Sequence, residues 1–187
     1  MNTMDSRRFN SLMPRLNEEW AANVLNMSRN KGNGPDLIDD EKIVEVKFTL
    51  YPNKKDYKKW NILEHQMHYP ENTEKIGFWG AGIYSLSKPI SEIRGISLSE
   101  LEKLVISRTI QIIPWEWAEQ FSPHETRGKT EKTQWEWTFR YTKGKFLPKV
   151  VEELSVDGGI IYFSEGVNPE LFKKQYNQIK EENNYPF

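Results

Sequence analysis

The sequence predicts an α/β domain, and three stretches carry that expectation. Leu16, Trp20, Val24 and Met27 recur every three or four residues, which draws one apolar stripe along a helix. Ile43-Val44-Glu45-Val46-Lys47-Phe48 reads as a strand, whose period of two sends Val44, Val46 and Phe48 to one face and Glu45 and Lys47 to the other. Gln134-Trp135-Glu136-Trp137-Thr138-Phe139-Arg140-Tyr141 alternates throughout and puts four aromatic rings on one face of an antiparallel strand.

At 187 residues the chain has the length of one domain, and with 37% hydrophobic and 28% charged residues it can bury a core. A formal net charge of -1 argues against a binder that coats a duplex by charge alone, so a nucleic-acid partner would need local basic patches. The absence of cysteine removes disulfides, thiolate zinc sites and cysteine nucleophiles, and suits an intracellular protein. No apolar run has the length of a signal peptide or a membrane span, which makes the cytoplasm the expected location.

Taken in order, Met1 to Met13 is a polar, frayed start, and the first helix runs from Leu16 to Met27 with Glu18 and Glu19 in its first turns. Asn30 to Gly34 is a glycine-containing loop, and Asp39-Asp40-Glu41-Lys42 is the turn before the strand at 43–48. A second helix is expected from Lys58 through Trp60, Leu63 and Met67, followed by a loop at Pro70 to Thr73. Ile76 to Leu86 reads as strand, and Ser97 with Glu100 forms a capping box for a short helix through Val105. A strand at Thr109 to Ile113 stops at Pro114, and Trp115 to Phe121 makes a helical turn. Ser122 to Thr133 is expected as a mobile loop. Asp157-Gly158-Gly159 turns into a strand at 160–163, and Asn168-Pro169-Glu170 starts a last helix with a cap and a first-position proline. The aromatic strands after Ser107 form a second sheet or an elaboration of the first.

The chemistry concentrates between Pro35 and Lys47. Folding back at the polar turn brings Asp36 alongside Glu45, and two carboxylates on adjacent strands suit a hard divalent cation such as Mg2+. Lys47, two residues along the same face, can hold a phosphate oxygen or a water. From the first helix Glu19 is the candidate to join them, although the sequence does not separate it from Glu18. Gln66 stands one turn after Ile62 on the expected second helix, where it can face the polar side of the hairpin. Lys54, Lys55, Lys58 and Lys59 make the most basic stretch of the chain and lie close enough in sequence to meet phosphates. Glu64 and His68 stand four apart, but no third ligand has convincing spacing for zinc, and His124 belongs to the expected loop. No glycine-rich nucleotide-binding motif occurs.

Gly34-Pro35-Asp36, a hairpin gap and Glu45-Val46-Lys47, after a helix bearing Glu18 and Glu19, resemble the PD-(D/E)XK nuclease superfamily of restriction enzymes, junction resolvases and repair nucleases. The resemblance implies a restriction-endonuclease-like mixed central sheet flanked by helices. Its core motif region would lie at 16–90, with an aromatic-rich β elaboration at 91–187. It further implies a metal-dependent deoxyribonuclease in which Asp36 and Glu45, with Glu19 or Glu18, hold Mg2+ (or Mn2+ in its place). Lys47 would orient the attacking water, and Gln66 matches a polar residue that resolvase-like members carry. DNA is the implied partner, and paired cuts would need a homodimer. Two other classes compete: a non-catalytic nucleic-acid-binding module, and an interaction protein whose aromatic surface is the interface.

Overall fold

The computed structural model of the protein describes residues 6–51, 58–93, 95–127, 133–141 and 147–172. In chain order, helix α1 (Ser6–Leu25) leads into strands β1 (Ser28–Arg29), β2 (Leu37–Ile38) and β3 (Lys42–Leu50). Then follow β4 (Lys58–Leu63), the short helices α2 (Glu64–Met67) and α3 (Tyr69–Thr73), β5 (Ile76–Leu86), α4 (Leu98–Lys103) and β6 (Val105–Pro114). A 3-10 turn at Trp115–Gln120 precedes β7 (His124–Arg127), β8 (Thr133–Tyr141), β9 (Val150–Val156) and β10 (Gly159–Ser164). The result is a mixed α/β fold with helices against a seven-stranded sheet, ordered β1-β2-β3-β5-β6-β10-β9, and a smaller sheet ordered β4-β8-β7. Within the large sheet β3 runs parallel to β5 and β6 to β10, while the remaining pairs are antiparallel.

Both faces of β3 are covered, and each by a different layer. Val44 and Val46 pack under Trp20, Val24 and Leu25 of α1, with Trp20 meeting Phe48 edge-on at 6.2 Å. On the opposite face Ile43 packs with Trp60 and Ile62 of β4, Trp79 and Trp115. The Trp79 and Trp115 rings stack at 3.6 Å, and the Trp79 indole N–H donates to the Trp115 carbonyl at 3.0 Å. Phe78, Phe163 and Phe172 close the core toward the C-terminal half. Fully buried Leu37, Ile43, Val44, Ile110 and Ile112 contribute about 1.5–3 kcal/mol each to folding.

Several elements differ from the sequence expectation, each for a local reason. The first helix begins at Ser6, because Phe9 and Met13 extend the apolar stripe upstream and are buried, and Pro14 is accommodated inside it. It stops at Asn26, whose φ of 52° lets the Met27 N–H reach the Ala22 carbonyl at 2.9 Å. The helix expected from Lys58 is instead β4 followed by the four-residue α2. Trp60, Leu63 and Met67 have helical spacing, but Trp60 and Ile62 also satisfy a period of two, and pairing of Trp60 with Phe139 and Ile62 with Trp137 selects the strand. Residues 69–73 are a helical turn with Pro70 near its start rather than a loop. Part of the expected loop at 122–133 is β7, which pairs with β8. β9 had no counterpart in the sequence reading; the Gly158 turn (φ 77°) folds β10 back on it. The expected strands at 76–86 and 134–141 form as anticipated, and the helix after Ser97 is capped, the Ser97 hydroxyl accepting from the Glu100 N–H, but it ends at Lys103 and Val105 opens β6. The C-terminal helix starts after Asn168, whose side chain accepts from the Glu170 N–H, and residues beyond 172 lie outside the described residues.

Candidate active site

The candidate site forms where β2 parts from β3. β2 pairs with β3 only through Leu37 with Val44 and Ile38 with Ile43. Beyond Val44 the ladder gives way to a side chain: the Val46 N–H donates to Asp36 Oδ2 at 2.9 Å. In return the Asp36 N–H donates to Glu45 Oε2 at 3.2 Å. The loop before Asp36 is set by Asn30, whose Oδ1 accepts from the Gly32 N–H at 3.2 Å and whose own N–H donates to the Asp36 carbonyl at 2.8 Å. Gly34 adopts φ 120° there, a conformation that side chains strain to reach.

Glu45 is 2% exposed and held at both oxygens. Its Oε1 accepts from Lys47 Nζ at 2.9 Å and from Gln66 Nε2 at 2.6 Å, while Oε2 takes the Asp36 N–H. Gln66 is itself fixed, because its Oε1 accepts from the Leu63 N–H at 2.9 Å. The sequence reading therefore placed Asp36, Glu45, Lys47 and Gln66 together, and the structure brings all four into one cluster. Gln66 arrives from a single helical turn at the end of β4 rather than from a long helix.

Of the two helix glutamates, Glu19 turns away from the cluster and pairs with Arg15 at 2.9 Å, both side chains about half exposed. Glu18 instead pairs with Arg29 of β1 at 2.8 Å, opens on a cavity shared with Val46 and Phe48, and adds its negative charge to the field at Asp36. One step along a helix rotates a side chain by about 100°, and docking of the Trp20 face decides which glutamate points inward. Lys54 and Lys55 lie outside the described residues, as do the side chains of Lys58 and Lys59, whose backbone is in β4. His68 sits beside Glu71 at 3.7 Å.

Electrostatics single out Asp36. Its carboxyl is pushed up from 3.8 to about 8, first by burial, then by the charges of Glu45 and Glu18; Lys47 and the Val46 N–H oppose the rise. Among the described residues Oδ1 of Asp36 accepts no hydrogen bond, which leaves one carboxylate oxygen for a ligand. Tyr69, which the sequence reading missed, stands in the same field: burial and the charges of Glu45 and Asp36 raise its phenol. No local pattern marks it, because α2 ends at Met67 and Tyr69 opens a separate helix.

The donor set is hard oxygen, which fits Mg2+ or Mn2+ and excludes nothing that those ions need. Among the described residues no group of three or more His, Asp and Glu side chains is arranged to hold an ion. The Asp36–Glu45 pair offers two carboxylates, and Mg2+ commonly binds through one or two, with water and phosphate oxygens filling the rest. Among the described residues no helix is long and apolar enough to cross a membrane. No family model, curated protein or solved structure matches the chain.

Proposed function

We propose that the protein is a metal-dependent deoxyribonuclease with a restriction-endonuclease-like core, acting on DNA phosphodiesters through Asp36, Glu45, Lys47, Gln66 and Glu18. One observation carries the reading: Asp36 and the buried Glu45 stand together, the Asp36 N–H on Glu45 Oε2 and the Val46 N–H on Asp36 Oδ2, with the other Asp36 oxygen left open. Burial and the neighbouring charges push the Asp36 carboxyl up, and a divalent cation would relieve that crowding. When bound, Mg2+ would neutralise charge on the phosphate and lower the pKa of an attacking water.

The remaining work falls to the protein. Hydrolysis forms a bond from water oxygen to phosphorus and breaks the bond to a deoxyribose oxygen, which leaves with its electron pair and takes up a proton, while the attacking water gives one up. Lys47 Nζ spends one N–H on Glu45 and has two for the incoming water or a phosphoryl oxygen. Gln66 and Lys47 clamp Glu45 Oε1 from two sides, so the carboxylate keeps its orientation as charge develops. Glu18 completes the acidic field, and Arg29 restrains it.

The test is cleavage of end-labelled single-stranded, duplex and four-way DNA in Mg2+ or Mn2+, with Mn2+ titrated calorimetrically. The parent should bind the ion and cut. Asp36→Asn and Glu45→Gln should lose both, and Lys47→Ala should bind the ion yet cut at least 100-fold more slowly. DNA binding that persists in EDTA and in both carboxylate variants, with no cleavage by the parent in Mg2+ or Mn2+, would establish a non-catalytic module. Lys47→Ala cutting as fast as the parent would remove Lys47 from the mechanism.

A further inference from the structure

The large sheet carries a second feature on the same face as Glu45 and Lys47. Cross-strand register puts Lys47 of β3 beside Ala81 of β5, Ala81 beside Gln111 of β6, and Gln111 beside Tyr162 of β10. Directly paired residues share a face, so these four side chains form one row across the sheet. The row runs from the candidate active site into a cavity of about 370 Å3, walled by Trp60, Ile83, Thr109, Gln111, Leu147 and Tyr162. A narrow cleft lined by Lys47 shares Trp60, Ala81 and Leu147 with that cavity. Gln111 stands two strand spacings from Lys47, roughly 10 Å, about the reach from a phosphate to a neighbouring nucleotide's base.

The chemistry of the cavity is that of a base pocket. Trp60, 4% exposed, is anchored through its indole N–H to the Gly82 carbonyl at 3.3 Å and forms a fixed part of the wall. Tyr162 supplies a second, half-buried ring. Gln111 is 9% exposed, and its Nε2 donates to the Pro148 carbonyl at 2.8 Å and to the Ser164 hydroxyl at 2.9 Å. A carbonyl only accepts, so the amide is locked with both donors spent and Oε1 as the group it offers the cavity. An aromatic-walled slot of this volume with one oriented acceptor matches a flat heterocycle bearing an N–H edge.

We propose that this cavity takes one nucleobase of the strand whose phosphate lies at Asp36, Glu45 and Lys47, with the base against Tyr162 and its N–H edge on Gln111 Oε1. The inference rests on the nuclease reading, because continuity with Lys47 is what identifies the occupant. It makes a single unpaired strand, or a duplex opened locally, the preferred substrate, since a base within a stacked duplex cannot enter the slot.

The experiment is an abasic scan on the full-length protein. A labelled 12-nucleotide single-stranded DNA carries one abasic unit, moved position by position, and binding is followed by anisotropy in Ca2+. One position should weaken binding roughly 5- to 100-fold, the range of base–aromatic stacking, while the others change it little. Ala81→Leu, which fills the cleft, should bind the intact strand no better than that abasic strand and erase the difference. Equal binding at every abasic position overturns the pocket while leaving the nuclease reading intact. Failure of every strand to bind overturns the proposed function and the pocket with it. The scan needs no variant, so a poorly folded Ala81→Leu would not obscure the outcome.

Discussion

Two buried polar clusters lie on opposite sides of the large sheet, and their charge balance differs. On β6, Arg108 is 2% exposed and gives both terminal nitrogens to the two oxygens of Glu102, at 2.6 and 2.7 Å. Its Nε donates to Asn17 Oδ1 at 2.9 Å, and the Trp20 ring lies 5.9 Å from the guanidinium. One cation meets one carboxylate, and each of the three guanidinium nitrogens has a partner. At the edge of β3 two carboxylates meet one amine, and a third carboxylate, paired with Arg29, stands near; burial first, then the charges of Glu45 and Glu18, push Asp36 up to about 8. A matched cluster ties α1 and α4 to the sheet; the second crowds carboxylates where burial makes their charge costly. That difference is what the proposed metal site would use.

The comparison predicts stability changes of opposite sign. Arg108→Met should cost the most, about 2–4 kcal/mol, since it leaves Asn17 buried without its donor. A lowered urea midpoint with an unchanged slope would confirm it, and a neutral result would show that the cluster contributes no net stability. Asp36→Asn should act the other way. Native Asp36 keeps its proton to about pH 8, whereas the unfolded chain releases it near 3.8. Over that window the native state binds more protons, so stability falls as pH rises, and the contribution is lost above pH 8. Without divalent cation, Asp36→Asn should flatten that slope and raise stability near pH 9 by about 1–3 kcal/mol, allowing for partial exposure. Thermal melts from pH 4 to 9 check this, and a parallel decline in both proteins would refute it. Mn2+ should flatten the parent's profile in the same way, since binding displaces the proton.

The smallest effect separates the two helix glutamates. Glu18→Gln should lower the Asp36 titration midpoint, read by carboxyl NMR, with less than about 1 kcal/mol of stability change. Glu19→Gln, which breaks only an exposed pair with Arg15, should leave that midpoint in place. Equal shifts in both variants would mean that the field at Asp36 comes from the helix as a whole.

Legibility followed the range of the interactions. Asp36, Glu45 and Lys47 were readable because a short hairpin forces strand neighbours together whatever the rest of the chain does. Gln66 was readable by position only, and the secondary structure around it was misread. The stretch from Trp60 to Met67 satisfies a helical stripe as well as a strand period, and pairing with β8, more than 70 residues later, broke the tie. Tyr69, Glu18 and the Gln111 cavity depend on which elements dock together, and local pattern carries none of that.

By itself the sequence determined the hairpin, its facing carboxylates and the lysine beside them, because strand period and turn chemistry act within a dozen residues. Tertiary structure decided what those residues experience. Docking of α1 chose Glu18 over Glu19, and the layer carrying β4 sealed the Glu45 face and drove Asp36 upward. The sheet register aligned Lys47 with Gln111 and Tyr162. Burial and electric field are sums over neighbours distant in sequence, so only the folded chain can set them.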